Sequence, residues 1–362
     1  MIAPESDARF MQMAVQLAMR GAGQVAPNPL VGAVVVQNGV VVGEGWHAHF
    51  GGDHAEVMAL RAAGSAARGA TLYVTLEPCR HDGKTPPCTT AIVHAGIARV
   101  VYAVNDPNPV AGGGGTLLRT HGVDVTEGVG ANEAREQNAV FLFARTQSHR
   151  PFVTVKLGMS IDGAIVDQSR KQGWITGPAS QEAVHALRAQ CDAVGVGIET
   201  VLADDPLLTV RYAPSPRRQP VRVVFDRHGR LPATSKLVQT ATDVPVVVVR
   251  PGAGNGEQNV VRLTGVEYVE ADSLQDALQA LRSRDIEHLL IEGGATLVSA
   301  FFAADLVDRL ITFQAPVVLG EGALSAFARL PARAAQTAPR WRVVERREFG
   351  ADLMTKYAVS GD

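Results

Sequence analysis

Four side chains stand out for what they could do together: His54 and Glu56 in "GGDHAEVMAL", and Cys79 and Cys88 in "LEPCRHDGKTPPC". Neutral imidazole and two thiolates are good zinc ligands, and three protein ligands leave a fourth position for water, the arrangement of a catalytic site. Two thiolates already neutralise the ion, so a hydroxide formed there adds negative charge and needs a proton acceptor close by. Glu56 is the candidate. His81 offers an alternative as the fourth ligand of a structural zinc, but that reading leaves Glu56 without a role. Cys191, in an apolar strand-like stretch, reads instead as a small core hydrophobe.

Helix starts must position these groups. In a regular helix, residues two apart are about 200° apart, so His54 and Glu56 share a cavity only if the histidine stands in the first turn or cap. "GGDHAE" supplies such a start, with Asp53 as the expected cap. Cys88 follows Pro86 and Pro87 and precedes "TTAIVHAG", which puts it at a second helix start, where the positive end of the dipole favours a thiolate.

The surrounding elements alternate. Residues 6–20 carry Phe10, Met13, Ala14 and Leu17 at helical spacing, and "VGAVVVQNGVVVGEGWH" reads as a hairpin turning at Asn38 and Gly39. Then come a helix from about His54, a strand "ATLYVTLEP", a helix after Cys88, a strand "RVVYAVND" and one helix through "ANEAREQNAVFLFAR". "AGGGGT" at 111–116 lacks the lysine of a phosphate loop and reads as a connection. The polar "TQSHRP" at 146–151 marks a boundary, so two domains are expected, 1–147 and 148–362. The second holds strands "FVTVKLGMS", "DAVGVGI", "PVRVVFD", "VPVVVVR" and "EHLLIEGG", with helices around 179–190, 273–284 and 295–304. Both domains therefore read as α/β. "GVGIET" follows a strand, but Thr200 stands where a dinucleotide-binding turn has its third glycine, a weak Rossmann signal.

Composition narrows the partners. With 46% hydrophobic and 19% charged residues among 362, the chain resembles ordinary soluble two-domain proteins, and no apolar run nears the ~18 residues of a membrane span. Glu5 and Asp7 come early and no basic segment precedes an apolar one, so no signal peptide is expected and the cytoplasm is the expected location. A net charge of −2 without blocks of like charge marks no polyanion-binding surface. Neither nucleic acid nor membrane is an expected partner, while a homo-oligomer is compatible with this composition. Three cysteines are too few for a disulfide scaffold.

The ligand types and their order match the general pattern of zinc-dependent nucleobase deaminases, although eight residues instead of two separate the cysteines. "APNPLVGAVVV", "GEGWHAHFGGDHAE", "VTLEPCRHDGKTPPC" and "DPNP" resemble, in order and spacing, the deaminase half of a bifunctional riboflavin-biosynthesis family. "KLGMSIDG", "WITGP", "GIETVLADDPLLTVR" and "IEGGATL" resemble its reductase half, so the likeness covers nearly the whole chain. It implies a cytidine-deaminase-like α/β/α domain followed by an α/β domain similar to dihydrofolate reductase. It further implies zinc on His54, Cys79 and Cys88, with Glu56 taking a proton from water and delivering it to the departing amine.

The same resemblance implies that a small phosphoribosyl pyrimidine is held by Asn28, His47, Lys84, Asp106 and Asn108. Amide and imidazole suit ring and sugar polar groups, and ammonium suits phosphate; Asn28 and Asn108 taken singly also fit turn chemistry. In the second half it implies substrate contacts from Lys156, Arg188, Leu208, Arg211 and Glu292. NADPH would meet Gly158, Trp174, Thr200, Asp204 and the turn formed by Gly294, Ala295, Thr296 and Leu297, which opens a helix suited to a pyrophosphate. Arg80 and Gln172 depart from the serines of the family. Arg227 and Arg230, in "VRVVFDRHGR" close to where the family's cofactor lies, are candidates for an arginine fork on the NADPH 2′-phosphate.

The implied chemistry is hydrolysis of the 2-amino group of the phosphoribosylaminopyrimidine, releasing ammonia, then hydride transfer from NADPH to C1′, which opens the ribosyl group to ribityl. The alternatives are a zinc deaminase of nucleosides or RNA bases with an inactive second domain, and a zinc-stabilised nucleotide-binding module without turnover.

Overall fold

The computed structural model describes residues 4–81, 86–147, 149–169, 173–252, 262–327 and 329–359. The chain divides after Gln147 into two compact units.

The first unit runs α1 (Pro4–Ala18), β1 (Gly32–Gln37), β2 (Val40–Trp46), α2 (Ala55–Ala63), β3 (Thr71–Leu76), α3 (Cys88–Ala95), β4 (Arg99–Val104), α4 (Gly114–Thr120), β5 (Asp124–Glu127), α5 (Ala131–Gln137) and α6 (Ala139–Thr146). Its sheet has the order β2-β1-β3-β4-β5; β1 is antiparallel to both neighbours and the remaining pairs are parallel. Every residue of β3 is buried, as expected of a strand covered on both faces. Phe10, Ala14 and Leu17 of α1 are buried in the core, together with Met11, while Met13 packs at its margin. Asn38 and Gly39 both take positive φ, 52° and 78°, the requirement of a two-residue hairpin turn.

Two glycines bring α2 onto the sheet. A Cβ on Gly43 or Gly45 of β2 would come within 2.3 Å of the carbonyl oxygens of Ala59 and Ala55, so α2 can lie this close only over bare backbone. Two expectations need correction here. The single helix through 131–145 is two helices, because Asn138 between them (φ −105°) spends its side chain on Leu30, accepting from its N–H and donating to its carbonyl. The "AGGGGT" connection in fact opens α4 at Gly114; glycine's poor helix propensity hid that start.

The second unit runs β6 (Phe152–Met159), β7 (Ala164–Val166), α7 (Pro178–Arg188), β8 (Ala193–Gly197), α8 (Ile198–Asp204), β9 (Val221–Phe225), α9 (Lys236–Gln239), β10 (Val246–Arg250), β11 (Val266–Glu270), α10 (Leu274–Arg282), β12 (His288–Glu292), α11 (Ala295–Ala303), β13 (Arg309–Gln314), β14 (Leu324–Ser325), β15 (Trp341–Phe349) and β16 (Asp352–Val359). Nine strands form one sheet, β11-β10-β9-β8-β12-β6-β13-β16-β15, parallel from β11 to β13 and antiparallel beyond; β7 and β14 pair separately. Val153, Val155, Leu289 and Ile291 bury one face with α10 and α11, and Val194, Val196, Val224 and Leu290 bury the other. Cys191 is buried as expected, but in the turn before β8 and not in a strand, with its thiol 3.1 Å from the Leu187 carbonyl.

The carboxyl ends of β6, β12 and β8 lie side by side in this sheet, the place where open α/β sheets bind ligands.

Candidate active sites

In the first unit the ligand atoms of His54, Cys79 and Cys88 all lie within 4.8 Å of one another. His54 Nδ1 is 3.2 Å from Cys88 Sγ and 3.6 Å from Cys79 Sγ. Tetrahedral zinc with ordinary Zn–N and Zn–S bonds has edges of about 3.5 Å, so the donor set fits that ion. His81, the alternative fourth ligand, is not part of the cluster.

The helix starts explain how the side chains converge. His54 is the N-cap of α2, in an extended conformation (φ −72°, ψ 156°), and this non-helical residue lets it share a cavity with Glu56 two positions on. Asp53, the expected cap, does not serve. Its carboxylate pairs with Arg61 at 2.9 Å and its carbonyl accepts from His47 Nδ1–H at 3.0 Å. Cys88 opens α3 directly after Pro87, and its backbone N–H donates to Cys79 Sγ at 3.4 Å.

Electrostatics sort the groups. Burial pushes the Glu56 carboxyl up to about 6, and it hydrogen-bonds with the Cys88 thiol. The hydrogen bond from the Cys88 thiol, and then His54, hold the Cys79 thiol well below its usual range, while Cys88 is pushed up. A coordinated cation favours the thiolate at both.

Beside the cluster, Asn28 donates its amide to His47 Nε2 at 3.1 Å, consistent with the His47 Nδ1–H donated to Asp53. The His47 and His54 rings meet edge-on at 5.7 Å. Asp106 and Asn108 follow β4, and both carry turn hydrogen bonds: Asp106 Oδ1 accepts from Asn108 N–H and Asn108 Oδ1 from Val110 N–H. Sequence reasoning missed Glu77. This buried carboxylate accepts from the backbone N–H groups of Asp106, Gly113 and Gly115 and so ties the 106–115 segment to the strand that leads to Cys79. Arg80, the departure from the family's serine, bonds the Pro109 carbonyl of the same segment. Lys84 lies outside the described residues, as does Gln172.

In the second unit, Glu292 at the end of β12 has Lys156, within β6, as its register partner. Arg188 on α7 grips Glu292 with two parallel hydrogen bonds, Nε to Oε1 at 2.6 Å and Nη2 to Oε2 at 2.9 Å, and donates Nη1 to the Thr209 carbonyl at 3.1 Å. Burial alone would raise the Glu292 carboxyl, but the Arg188 guanidinium outweighs it and the net shift is downward. Burial lowers Lys156. The Lys156 ammonium lies 5.7 Å from the centre of the Trp174 ring, and a Cβ on Gly158 would be 3.8 Å from its Nζ, so these three residues are neighbours. Leu208 is buried at φ 55°, and Arg211 follows it at the surface.

Glu292 continues into Gly293 and Gly294, both at positive φ, and then into the first turn of α11 with Ala295, Thr296 and Leu297. Thr200 reaches this turn, its Oγ1 3.2 Å from where a Gly294 Cβ would stand. Asp204 lies one turn further along α8, on the same face as Thr200. Arg227 stands apart, exposed in the turn after β9, while Arg230 is ion-paired with Glu199 of α8.

Known proteins supply the context. The cytidine and deoxycytidylate deaminase zinc-binding region matches residues 4–104, and the RibD C-terminal domain matches residues 151–355. The riboflavin biosynthesis protein RibD of Aquifex aeolicus is 42% identical over 319 residues, 88% of this chain and 89% of that protein. That of Escherichia coli is 39% identical over 359 residues, 96% and 98% respectively. The structure of Acinetobacter baumannii RibD aligns with a TM-score of 0.84 at 38% identity, covering 99% of this chain and 100% of that one. A Thermotoga maritima structure described as a diaminohydroxyphosphoribosylaminopyrimidine deaminase/5-amino-6-(5-phosphoribosylamino)uracil reductase aligns at 0.85 with 37% identity, covering 98% and 99%. With a deaminase-like first unit, a RibD C-terminal domain and similarity along nearly its whole length, the chain belongs to the RibD family of riboflavin biosynthesis proteins.

Proposed function

We propose that this chain catalyses two successive steps of riboflavin biosynthesis. The first is hydrolytic deamination of 2,5-diamino-6-(5-phosphoribosylamino)pyrimidin-4-one by residues 1–147. The second is NADPH-dependent reduction of the ribosyl group to ribityl by residues 148–362. The observation that carries the reading is the buried acid Glu56, its carboxyl pushed up to about 6, set against a zinc-type donor cluster.

Zinc held by His54, Cys79 and Cys88 supplies Lewis-acid activation of the attacking water. Glu56 accepts that water's proton and passes it to the departing amine; an acid–base group with a pKa near neutrality is suited to both transfers. Asn28 and His47 orient the pyrimidine, Asp106 and Asn108 the sugar, and Lys84 the phosphate. In the second unit NADPH supplies the hydride. Thr200, Asp204, Gly158, Trp174 and the turn from Gly294 to Leu297 hold it, with Arg227 at its 2′-phosphate. Lys156, Arg188, Leu208, Arg211 and Glu292 hold the substrate. The charged Lys156, Arg188 and Glu292 set speaks against an inactive second domain, since burying such groups without use is costly.

The substrate is a small molecule, with neither nucleic acid nor a membrane as partner, and the cytoplasm is the setting. Among the described residues, no helix is long and apolar enough to cross a bilayer. The test is incubation of the purified chain with the diaminopyrimidine, with and without NADPH. Ammonia should appear in both cases and the nicotinamide absorbance should fall only after it; absence of ammonia refutes the first step, and NADPH left intact refutes the second.

A further inference from the structure

Helix α7 buries a residue that none of the roles above uses. His185 has no exposed surface, stands one turn before Arg188, and accepts at Nδ1 from the backbone N–H of Arg211 at 3.0 Å. A neutral imidazole that accepts at Nδ1 carries its proton on Nε2. The neutral form holds here, because burial and the charges of Arg188 and Arg211 push the ring down to about 4. Its Nε2–H is sealed from solvent and has no hydrogen-bond partner among the described residues. Native proteins rarely leave a buried donor so, and such a group calls for an explanation, an ordered water, an ion or a ligand among them.

The surroundings indicate which partner. Arg188, Arg211 and Lys156 all act on His185 as positive charges, against the single carboxylate of Glu292, whose two oxygens are both engaged by Arg188. The excess is positive, so the missing acceptor is an anion. Among the described residues, the Arg211 guanidinium hydrogen-bonds a neutral hydroxyl, Thr209 Oγ1 at 3.3 Å, and lies 5.6 Å from the centre of the Tyr212 ring. Tyr212 lies edge-on against the imidazole at 4.8 Å and is itself 59% exposed, so the buried ring has a surface side chain as its neighbour.

We propose that His185 is a further substrate-binding residue, whose Nε2–H donates to a phosphate oxygen of the phosphoribosyl substrate while its Nδ1 holds the Arg211 backbone in place. The inference rests on the reductase reading of residues 148–362. It gives the imidazole two separable jobs, one per nitrogen.

Two substitutions in the full-length protein separate them. His185→Asn keeps an acceptor near the Nδ1 position and removes the Nε2 donor; His185→Gln sets an amide near the Nε2 position and gives up the hold on Arg211. With the already deaminated substrate, His185→Asn should raise KM about tenfold or more, the loss of one hydrogen bond to a charged group. The KM for NADPH should stay near parental, His185→Gln should recover part of the substrate affinity, and the difference should vanish with the dephosphorylated substrate. Equal effects on phosphorylated and dephosphorylated substrate, or none on either, overturn the assignment. If the parent protein oxidises no NADPH with this substrate, the reductase reading is what fails. A titration with inorganic phosphate then decides on His185 alone: a saturable change in its imidazole nitrogen shifts supports the site, and unchanged shifts refute it.

Discussion

In the first unit His54, Glu56 and Cys88 stand at two helix starts, and Cys79 lies nine positions before Cys88. In the second, Arg188 and Glu292 are 104 positions apart and meet through a buried bidentate ion pair. One centre is built of neutral or cation-seeking ligands and needs an ion to complete it. The other is held together by charge within the protein, the Arg188–Glu292 pair. Removing metal should therefore damage one and spare the other, and removing a charge should do the reverse.

The largest effect expected is loss of the ion itself. Cys79→Ser or Cys88→Ser should abolish zinc binding and ammonia release together, while NADPH oxidation with deaminated substrate continues near the parental rate. Elemental analysis alongside both assays checks this; full deamination by a zinc-free variant would break the contrast. Next comes Glu56→Gln, which should keep zinc and lose deamination by ~10²–10⁴-fold, because one group serves both proton transfers. A folded, zinc-loaded variant that still releases ammonia at the parental rate would remove Glu56 from the mechanism.

On the other side of the comparison, Arg188→Met takes from the buried Glu292 carboxylate its bidentate partner and leaves Lys156 as the remaining cation beside it. Breaking a buried pair from one side costs about 3–5 kcal/mol, and replacing both partners by groups of similar volume is far milder. Denaturant unfolding should thus show the second unit strongly destabilised in Arg188→Met and largely restored in Arg188→Met with Glu292→Gln, while NADPH oxidation is lost in both and ammonia release in neither. Restored stability together with restored reduction would mean that the ion pair has no part in substrate binding.

The same contrast decides how much could be read from the chain. Cys79 and Cys88 sit in one short segment with Pro86 and Pro87 between them, so ligand types, helix start and spacing were all legible. Central strands such as β8, β10 and β12 were legible too, because burial on both faces makes them largely apolar runs. The charged edge strand β15 was not: Arg342, Glu345, Arg346, Arg347 and Glu348 suit an unpaired sheet edge and carry no apolar period. Glu77 and His185 escaped for another reason. Each acts by hydrogen bonds to backbone 26 or more positions away, a partnership that no local pattern encodes.

Acid should distinguish the units again, more gently. Burial, aided by Arg188 and Arg211, pushes His185 down to about 4, and burial pushes His288 down to about 4 as well. The unfolded chain protonates these rings near ~6.5. Both folded values are depressed, so their stabilising effect is fully present above ~6.5 and is lost as pH falls toward 4, where unfolding takes up protons. The second unit's melting temperature should fall by roughly 5–10 °C between pH 7 and 5, and His288→Gln should flatten part of that slope. A profile identical in His288→Gln would show that the ring does not titrate on unfolding.

The smallest effect belongs to cofactor choice. Arg227 is exposed, and a solvated charge on a phosphate contributes at most ~1 kcal/mol, so Arg227→Ala should lower the preference for NADPH over NADH by about fivefold or less. Arg230 differs in one respect: it pairs with Glu199, the neighbour of Thr200 on α8. Arg230→Ala therefore removes one positive charge and also frees a carboxylate to repel the 2′-phosphate. Its effect should exceed that of Arg227→Ala, and Arg230→Ala with Glu199→Gln should return part of the loss. Preference ratios compared across the three proteins rank the two arginines. If all three keep the parental ratio, the turn after β9 plays no part in reading the 2′-phosphate, and recognition falls to the helix starts of α8 and α11, where backbone groups and not charges would have to make the distinction.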